Sequence, residues 1–236
     1  MSEPLRSAGP RDREPVFNVP RTIVVIIALC VLLYLAQTYV LTADQFANFL
    51  WYLAFIPARF TEYDGLSSPL AWVTPITYSL LHGSFAHIAL NLIWLMAFGS
   101  PLSARIGPAR TMLFWIATSI AAALTHYAVY STSIAPLVGA SGVVSGMMGA
   151  AARFGFRRTG ASNSSAFEGR ILPIGVALRM RTVLTFLGVW FVTNIITGLF
   201  WNGPDASSSI AWEAHIGGFV VGFFGVSLFD RPGKHR

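Results

Sequence analysis

Charge is what this chain has least of. Only 11% of its 236 residues are Asp, Glu, Lys or Arg while 54% are hydrophobic, against roughly 25% charged in a soluble domain. A water-soluble globular domain is thereby set aside, and a polytopic membrane protein becomes the first reading. Cysteine is nearly missing too: Cys30 stands alone in an apolar run, so neither an intramolecular disulfide nor a cysteine-based metal site can form. Acidic groups are absent from the apolar stretches except for Glu213. That removes the paired carboxylates of aspartyl chemistry, and without HExxH the usual zinc-protease signature is missing as well. No metal and no cofactor is expected. Nor is there an internal repeat of the kind many transporters carry.

What is present is apolar sequence in lengths that fit a bilayer. A crossing helix needs about 20 mostly apolar residues, and six segments qualify: Thr22 to Leu41, Gly83 to Leu102, Thr111 to Tyr130, Ile134 to Ala152, Val183 to Phe200 and Ile210 to Phe229. The expected fold is an all-α polytopic bundle of six transmembrane helices. The net charge of +6 would suit nucleic acid, but 15 of the 16 basic residues fall in alternate connections on one side, leaving only Arg59 on the other. Positive-inside anchoring accounts for that pattern, so no nucleic-acid partner is expected and both termini are predicted to be cytosolic. Residues 1–21 and 230–236 then read as tails flanking a membrane domain at 22–229, and the first tail lacks the apolar core of a cleavable signal. The first outward connection, Thr42 to His82, is long. Its apolar part, Phe46 to Ile56, is too short to cross and rich in aromatics, which predicts an interfacial or re-entrant element, with a buried lid for the bundle and no further role as the alternative. The connection "RTGASNSSAFEGRILPIG" reads as a linker. The short ends fit a bacterial plasma membrane.

Polar side chains inside a membrane are costly and mark functional candidates. Span 2 opens "LLHGSFAHIALN", placing His82 at its mouth and His87 and Asn91 four apart on one helix face. Span 4 carries Ser141 and Ser145, span 5 Asn194, and span 6 Glu213 and His215. Spans 2, 4 and 6 run in the same direction, so His87, Ser141 and His215 each lie about five residues in, roughly 6 to 8 Å deep at 1.5 Å per residue. Three helices thus deliver polar groups to one level. A serine becomes a nucleophile when a base takes its proton, and histidine is the usual base. A Ser141/His215 dyad is the economical reading, with His87, Asn91 and the Ser141 amide as donors to a tetrahedral oxyanion. Gly139 and Gly142 flank Ser141, and Gly218 and Gly222 form a GxxxG below His215 that allows spans 4 and 6 to approach closely. Ser145 and Asn194 are assigned to packing or interhelical hydrogen bonding, Glu213 to a place near the interface facing water or Arg59. His126, near the outer end of span 3, takes no role. A transporter is the alternative in another class, but it places its polar residues near the midplane.

The motifs "HGSFAHIALN", "GASG" and "AHIGGFVVG", in that order, resemble those of the rhomboid family of intramembrane serine proteases over about residues 22 to 229. The resemblance implies a six-helix rhomboid-like bundle with a long membrane-interfacial first loop. It implies Ser141 as nucleophile, His215 as general base, His87 and Asn91 as oxyanion stabilisers and His82 as a supporting polar residue. The substrates it implies are single-span membrane proteins, entering from the lipid past span 5, with no cofactor. A rhomboid-like membrane-protein binding factor without proteolysis is the alternative within that resemblance. The sequence does not fix the oligomeric state. Two departures stand out. Val73 and Thr74 occupy the places where many bacterial relatives carry a Trp-Arg pair in the first loop. Ser145 stands where relatives often have an aromatic ring stacked on the catalytic histidine, which leaves His215 looser or dependent on another ring.

Overall fold

The computed structural model describes residues 19–63, 67–156, 169–200 and 210–230. The predicted N-terminal tail to residue 18, most of the predicted linker (157–168), the loop 201–209 that contains Asp205, and the C-terminal tail from 231 lie outside the described residues. Among the described residues every regular element is helical, and the only extended pairing is an isolated bridge between Phe55 and Leu137. The helices, in chain order, are α1 (Arg21–Tyr39), α2 (Ala43–Leu53), α3 (Thr74–Thr77), α4 (Phe85–Trp94), α5 (Ser100–Ile106), α6 (Pro108–Val129), α7 (Ser141–Arg153), α8 (Ile174–Ala177), α9 (Arg181–Phe200) and α10 (Trp212–Phe229). α4 and α5 join through a π-helical turn at Leu95–Gly99 into one continuous span. This span, with α1, α6, α9 and α10, gives five helices among the described residues that are long and apolar enough to cross a membrane. Exposed Val25, Leu32, Leu90, Leu113, Leu124 and Leu228 form part of their outer surface, the face expected toward hydrocarbon when backbone groups are satisfied within each helix.

The fourth predicted span needs correction. Its helix does not begin at Ile134: α7 starts at Ser141 and has 13 residues, about 20 Å at 1.5 Å per residue. Pro136 and Gly139, the latter at φ 120°, do not suit a helix, and the chain ahead of α7 is extended instead. Irregular backbone survives at membrane depth only where protein satisfies it. Here Leu137 donates to the Phe55 carbonyl at 2.8 Å, Gly139 donates to the Tyr78 carbonyl at 3.0 Å, and Ala58 donates to the Ser133 carbonyl at 3.0 Å. α7 itself is buried at every position from Gly142 to Arg153, so it is the centre of the bundle and its neighbours make the wall.

Those neighbours come very close. A Cβ built on Gly218 would run into the carbonyl oxygen of Gly142, and one on Gly222 into that of Gly146. Gly149 faces the Phe219 carbonyl, where a Cβ would stand at 2.5 Å. α7 and α10 are therefore in backbone contact along three turns, the arrangement small residues permit between membrane helices. On its other side α7 meets α6, where a Cβ on Gly142 would lie 2.6 Å from Ala122.

The long first connection begins with a short helix, α2, which covers most of the apolar part Phe46 to Ile56. α2 starts with a capping box in which Thr42 and Gln45 satisfy each other's backbone N–H groups. After it the chain turns inward, and Arg59 is buried at 2% exposure. Its guanidinium lies over the Trp51 ring at 4.6 Å and donates to the Trp51 carbonyl. Loop anchoring is thus supplied by a Trp and an Arg from other positions than Val73 and Thr74. At the opposite end of the bundle Arg105 grips Asp230 with two bonds of 2.9 and 2.8 Å, while Arg153 donates to the carbonyls of Leu172 and Phe223. Arginines read as topological anchors in the sequence also clasp helix ends together.

Candidate active site

Ser141 occupies the first position of α7, where a helix leaves its N–H groups without intrahelical partners. Its Oγ lies 2.7 Å from Nε2 of His215, the fourth residue of α10. The close approach of α7 and α10 through their glycines makes this possible, because a side chain at Gly218 would push His215 away from Ser141. The other ring nitrogen, Nδ1, lies 2.7 Å from Oδ1 of Asn194 on α9. Serine, histidine and asparagine are therefore joined in one chain of hydrogen bonds across three helices.

The carbonyl of Asn194 can only accept. The bond to that oxygen is made only by the tautomer with its proton on Nδ1, and in that tautomer the Nε2 lone pair faces the serine hydroxyl, as a general base needs. Sequence reasoning assigned Asn194 to packing or interhelical bonding and expected His215 to be loose or to lean on another ring. The ring is fixed by an amide instead. Depth was the signal that would have found it. Asn194 lies six residues before the end of span 5, which runs opposite to span 6, and so reaches the same level as His215.

His87 and Asn91 face Gly139 together. A Cβ on Gly139 would stand 2.6 Å from Nε2 of His87 and 3.8 Å from Nδ2 of Asn91. Gly139 is required here twice over, by φ 120° and by the imidazole against its backbone. α4 is capped by Ser84, whose hydroxyl accepts from the His87 amide at 3.2 Å, and Asn91 donates one amide N–H back to the His87 carbonyl at 3.0 Å. That bond fixes the Asn91 rotamer and leaves a second N–H. His82 is buried beside them, its ring edge-on to His87 at 5.2 Å and its carbonyl accepting from Gln37.

Glu213 is not at the interface facing water or Arg59, as the sequence suggested. It is 3% exposed and its Oε1 lies 2.5 Å from Nδ1 of His126 on α6. A carboxylate two residues from the base thus points away from it, pinning the first turn of α10 to α6. Neither residue's sequence neighbourhood reveals the other, 87 positions apart.

A cavity of about 310 Å³ opens at the serine. Ser141, Asn91, Asn194 and His215 line its polar end, and Ser145 its flank. Apart from Thr193 the remainder is apolar, and includes Phe98 from the π-helical turn and Trp190 from α9.

Among the described residues the class is thus an all-helical polytopic bundle, with a hydrogen-bonded serine and histidine beside a largely apolar cavity. Comparison with known proteins specifies it further. A family model described as the rhomboid domain matches residues 69–230. The chain is 30% identical over 198 residues to the rhomboid protease GlpG of Haemophilus influenzae, covering 84% of this chain and 85% of that one. It is 28% identical over 161 residues to the rhomboid protease GluP of Bacillus subtilis, covering 68% of this chain and 27% of GluP. To GlpG of Serratia proteamaculans it is 29% identical over 211 residues, covering 89% of this chain and 62% of that protein. It therefore spans only a minor part of GluP and just under two thirds of the Serratia protein. The chain belongs to the rhomboid family.

Proposed function

We propose that this protein is an intramembrane serine endopeptidase that cuts membrane-spanning segments of other proteins near the outer face of the membrane. The observation that carries the reading is the 2.7 Å hydrogen bond between Ser141 Oγ and His215 Nε2 at the polar end of the cavity. The placement of basic residues supports cytosolic termini and a site opening outward.

In the reaction, Ser141 Oγ attacks the carbonyl carbon of the scissile peptide while His215 Nε2 takes its proton. The oxyanion that forms is met by the Ser141 amide and by N–H donors of Asn91 and His87. Collapse breaks the C–N bond, and the proton on Nε2 passes to the leaving amine. Water then attacks the acyl-serine, giving its proton to His215 and releasing the carboxylic acid and the free serine. A helix hides its carbonyl carbons, so the substrate segment must unwind locally, and residues of low helix propensity near the cut favour it.

The test uses purified protein in detergent and in vesicles with a model single-span substrate. The unmodified chain should be labelled by a fluorophosphonate and should cleave the substrate. Ser141→Ala should abolish both, His215→Ala should abolish turnover, and Asn91→Ala should slow it about 10²-fold as one oxyanion donor. Cleavage that persists unchanged in Ser141→Ala would remove the assignment.

A further inference from the structure

We infer that Asn194 is the positioning residue for the general base, so that the working unit is Ser141–His215–Asn194 with the third member carried by α9. The inference rests on the protease reading and adds to it a residue that holds the His215 ring. Three observations meet here. First, Asn194 Oδ1 lies 2.7 Å from His215 Nδ1 while Nε2 of the same ring lies 2.7 Å from Ser141 Oγ, so both ring nitrogens are committed. Second, Asn194 is 7% exposed and lines the same cavity as Ser141 and His215; its buried Nδ2 has no hydrogen-bond partner, so the bond from Oδ1 to His215 Nδ1 is the interaction that holds this amide in place. Third, the hydrogen bond is the middle rung of a ladder between antiparallel α9 and α10. Trp190 stacks on Phe219 at 4.2 Å one turn to one side, and Gly198 accommodates the Trp212 ring one turn to the other.

The ladder sets the register that brings Asn194 to Nδ1. Stacking at Trp190 holds the helices face to face, and Gly198 lets the Trp212 side chain lie against the α9 backbone. Neither rung touches the histidine. The amide holds Nδ1 and the Ser141 hydroxyl faces Nε2, so among these contacts the amide is the one that does not take part in the attack. A neutral acceptor orients the ring and selects the tautomer without supplying a negative charge, a solution also found in Cys-His-Asn proteases.

The inference is tested with full-length protein carrying 15N-histidine, read by NMR alongside kinetics on the model substrate. In the unmodified chain the His215 ring should carry its proton on Nδ1, with Nε2 bare. Asn194→Leu, close in shape but without an acceptor, should shift the ring toward the other tautomer and lower kcat about 10²-fold, within the range for general acid–base catalysis, leaving KM within about twofold. Asn194→Asp restores an acceptor oxygen and should recover most of that loss. A wild-type ring protonated on Nε2 overturns the inference, and that measurement needs no variant to fold. An unchanged kcat and tautomer in Asn194→Leu would overturn it too, as would a kcat loss that Asn194→Asp does not recover. The ring tautomer is read without turnover, so failure here is distinct from failure of the protease reading, which is decided by Ser141→Ala.

Discussion

Two helices pack against α10 in opposite ways. α7 meets it backbone to backbone, with Gly142, Gly146 and Gly149 set against Gly218, Gly222 and the Phe219 carbonyl, and no side chain fits between. α9 meets it through separate side-chain rungs and leaves Leu184, Val189, Phe191, Val192 and Ile196 exposed. Ser141 and His215, the proposed nucleophile and base, are on the tight pair, where their separation is set by main chain. The amide that faces Nδ1 is on the loose helix, where its position depends on side chains. Reacting groups belong on rigid elements because small displacements cost much of their efficiency. A group that only orients tolerates a softer mount.

The largest effect should come from breaking the tight side. Gly222→Val places a branched side chain against the Gly146 carbonyl, and the helices must part or α10 must slide. Overpacking costs about 1–3 kcal/mol in cores that can adjust, and main chain that cannot yield places this substitution at or above the top of that range. The thermal midpoint in detergent should fall sharply, with turnover and fluorophosphonate labelling abolished together. A variant that keeps wild-type turnover would show that backbone packing does not set the Ser141 to His215 distance.

A smaller effect is expected at the start of α10. Glu213→Ala removes the partner of buried His126 and should cost about 1–3 kcal/mol, the range for stranding a buried polar group. Because the pair ties α10 to α6 and not His215 to Ser141, stability should fall more than kcat does. Thermal melts and steady-state kinetics on the same preparation separate the two. A kcat loss with no change in the melt would mean that Glu213 acts on the base after all.

Much of the architecture is legible in the sequence. The apolar runs locate the spans because hydrocarbon forces helices of a fixed minimum length, and four of the crossing helices begin and end within three residues of expectation. His87, Ser141 and His215 stand out because polar groups are rare at that depth. Three things are hidden. The start of α7 at Ser141 depends on Pro136 and Gly139, whose break is disguised by the apolar residues around them. Glu213 finds its partner on a helix 87 positions earlier, a pairing no local pattern encodes. Arg59 reads as the one basic residue on the wrong side, when burial against Trp51 makes it a loop anchor. In each case long-range packing, not local propensity, decides the outcome.

The smallest effect is the one that defines the loose side. Gly188 sits within α9, and a Cβ built there meets nothing within 4 Å, in contrast to Gly218 and Gly222 across the bundle. Glycine in a helix interior loses about 0.5–1 kcal/mol relative to alanine through its greater backbone freedom when unfolded. Gly188→Ala should therefore leave kcat and KM unchanged and hold or raise the thermal midpoint by a degree or two, while Gly218→Ala, the same chemical change, should lower it. If both substitutions destabilise alike, α9 is packed as closely as α7, and an orienting amide on a looser helix is the wrong description. If Gly188→Ala is silent and Gly218→Ala is not, the asymmetry belongs to the packing of the two helices and not to glycine itself.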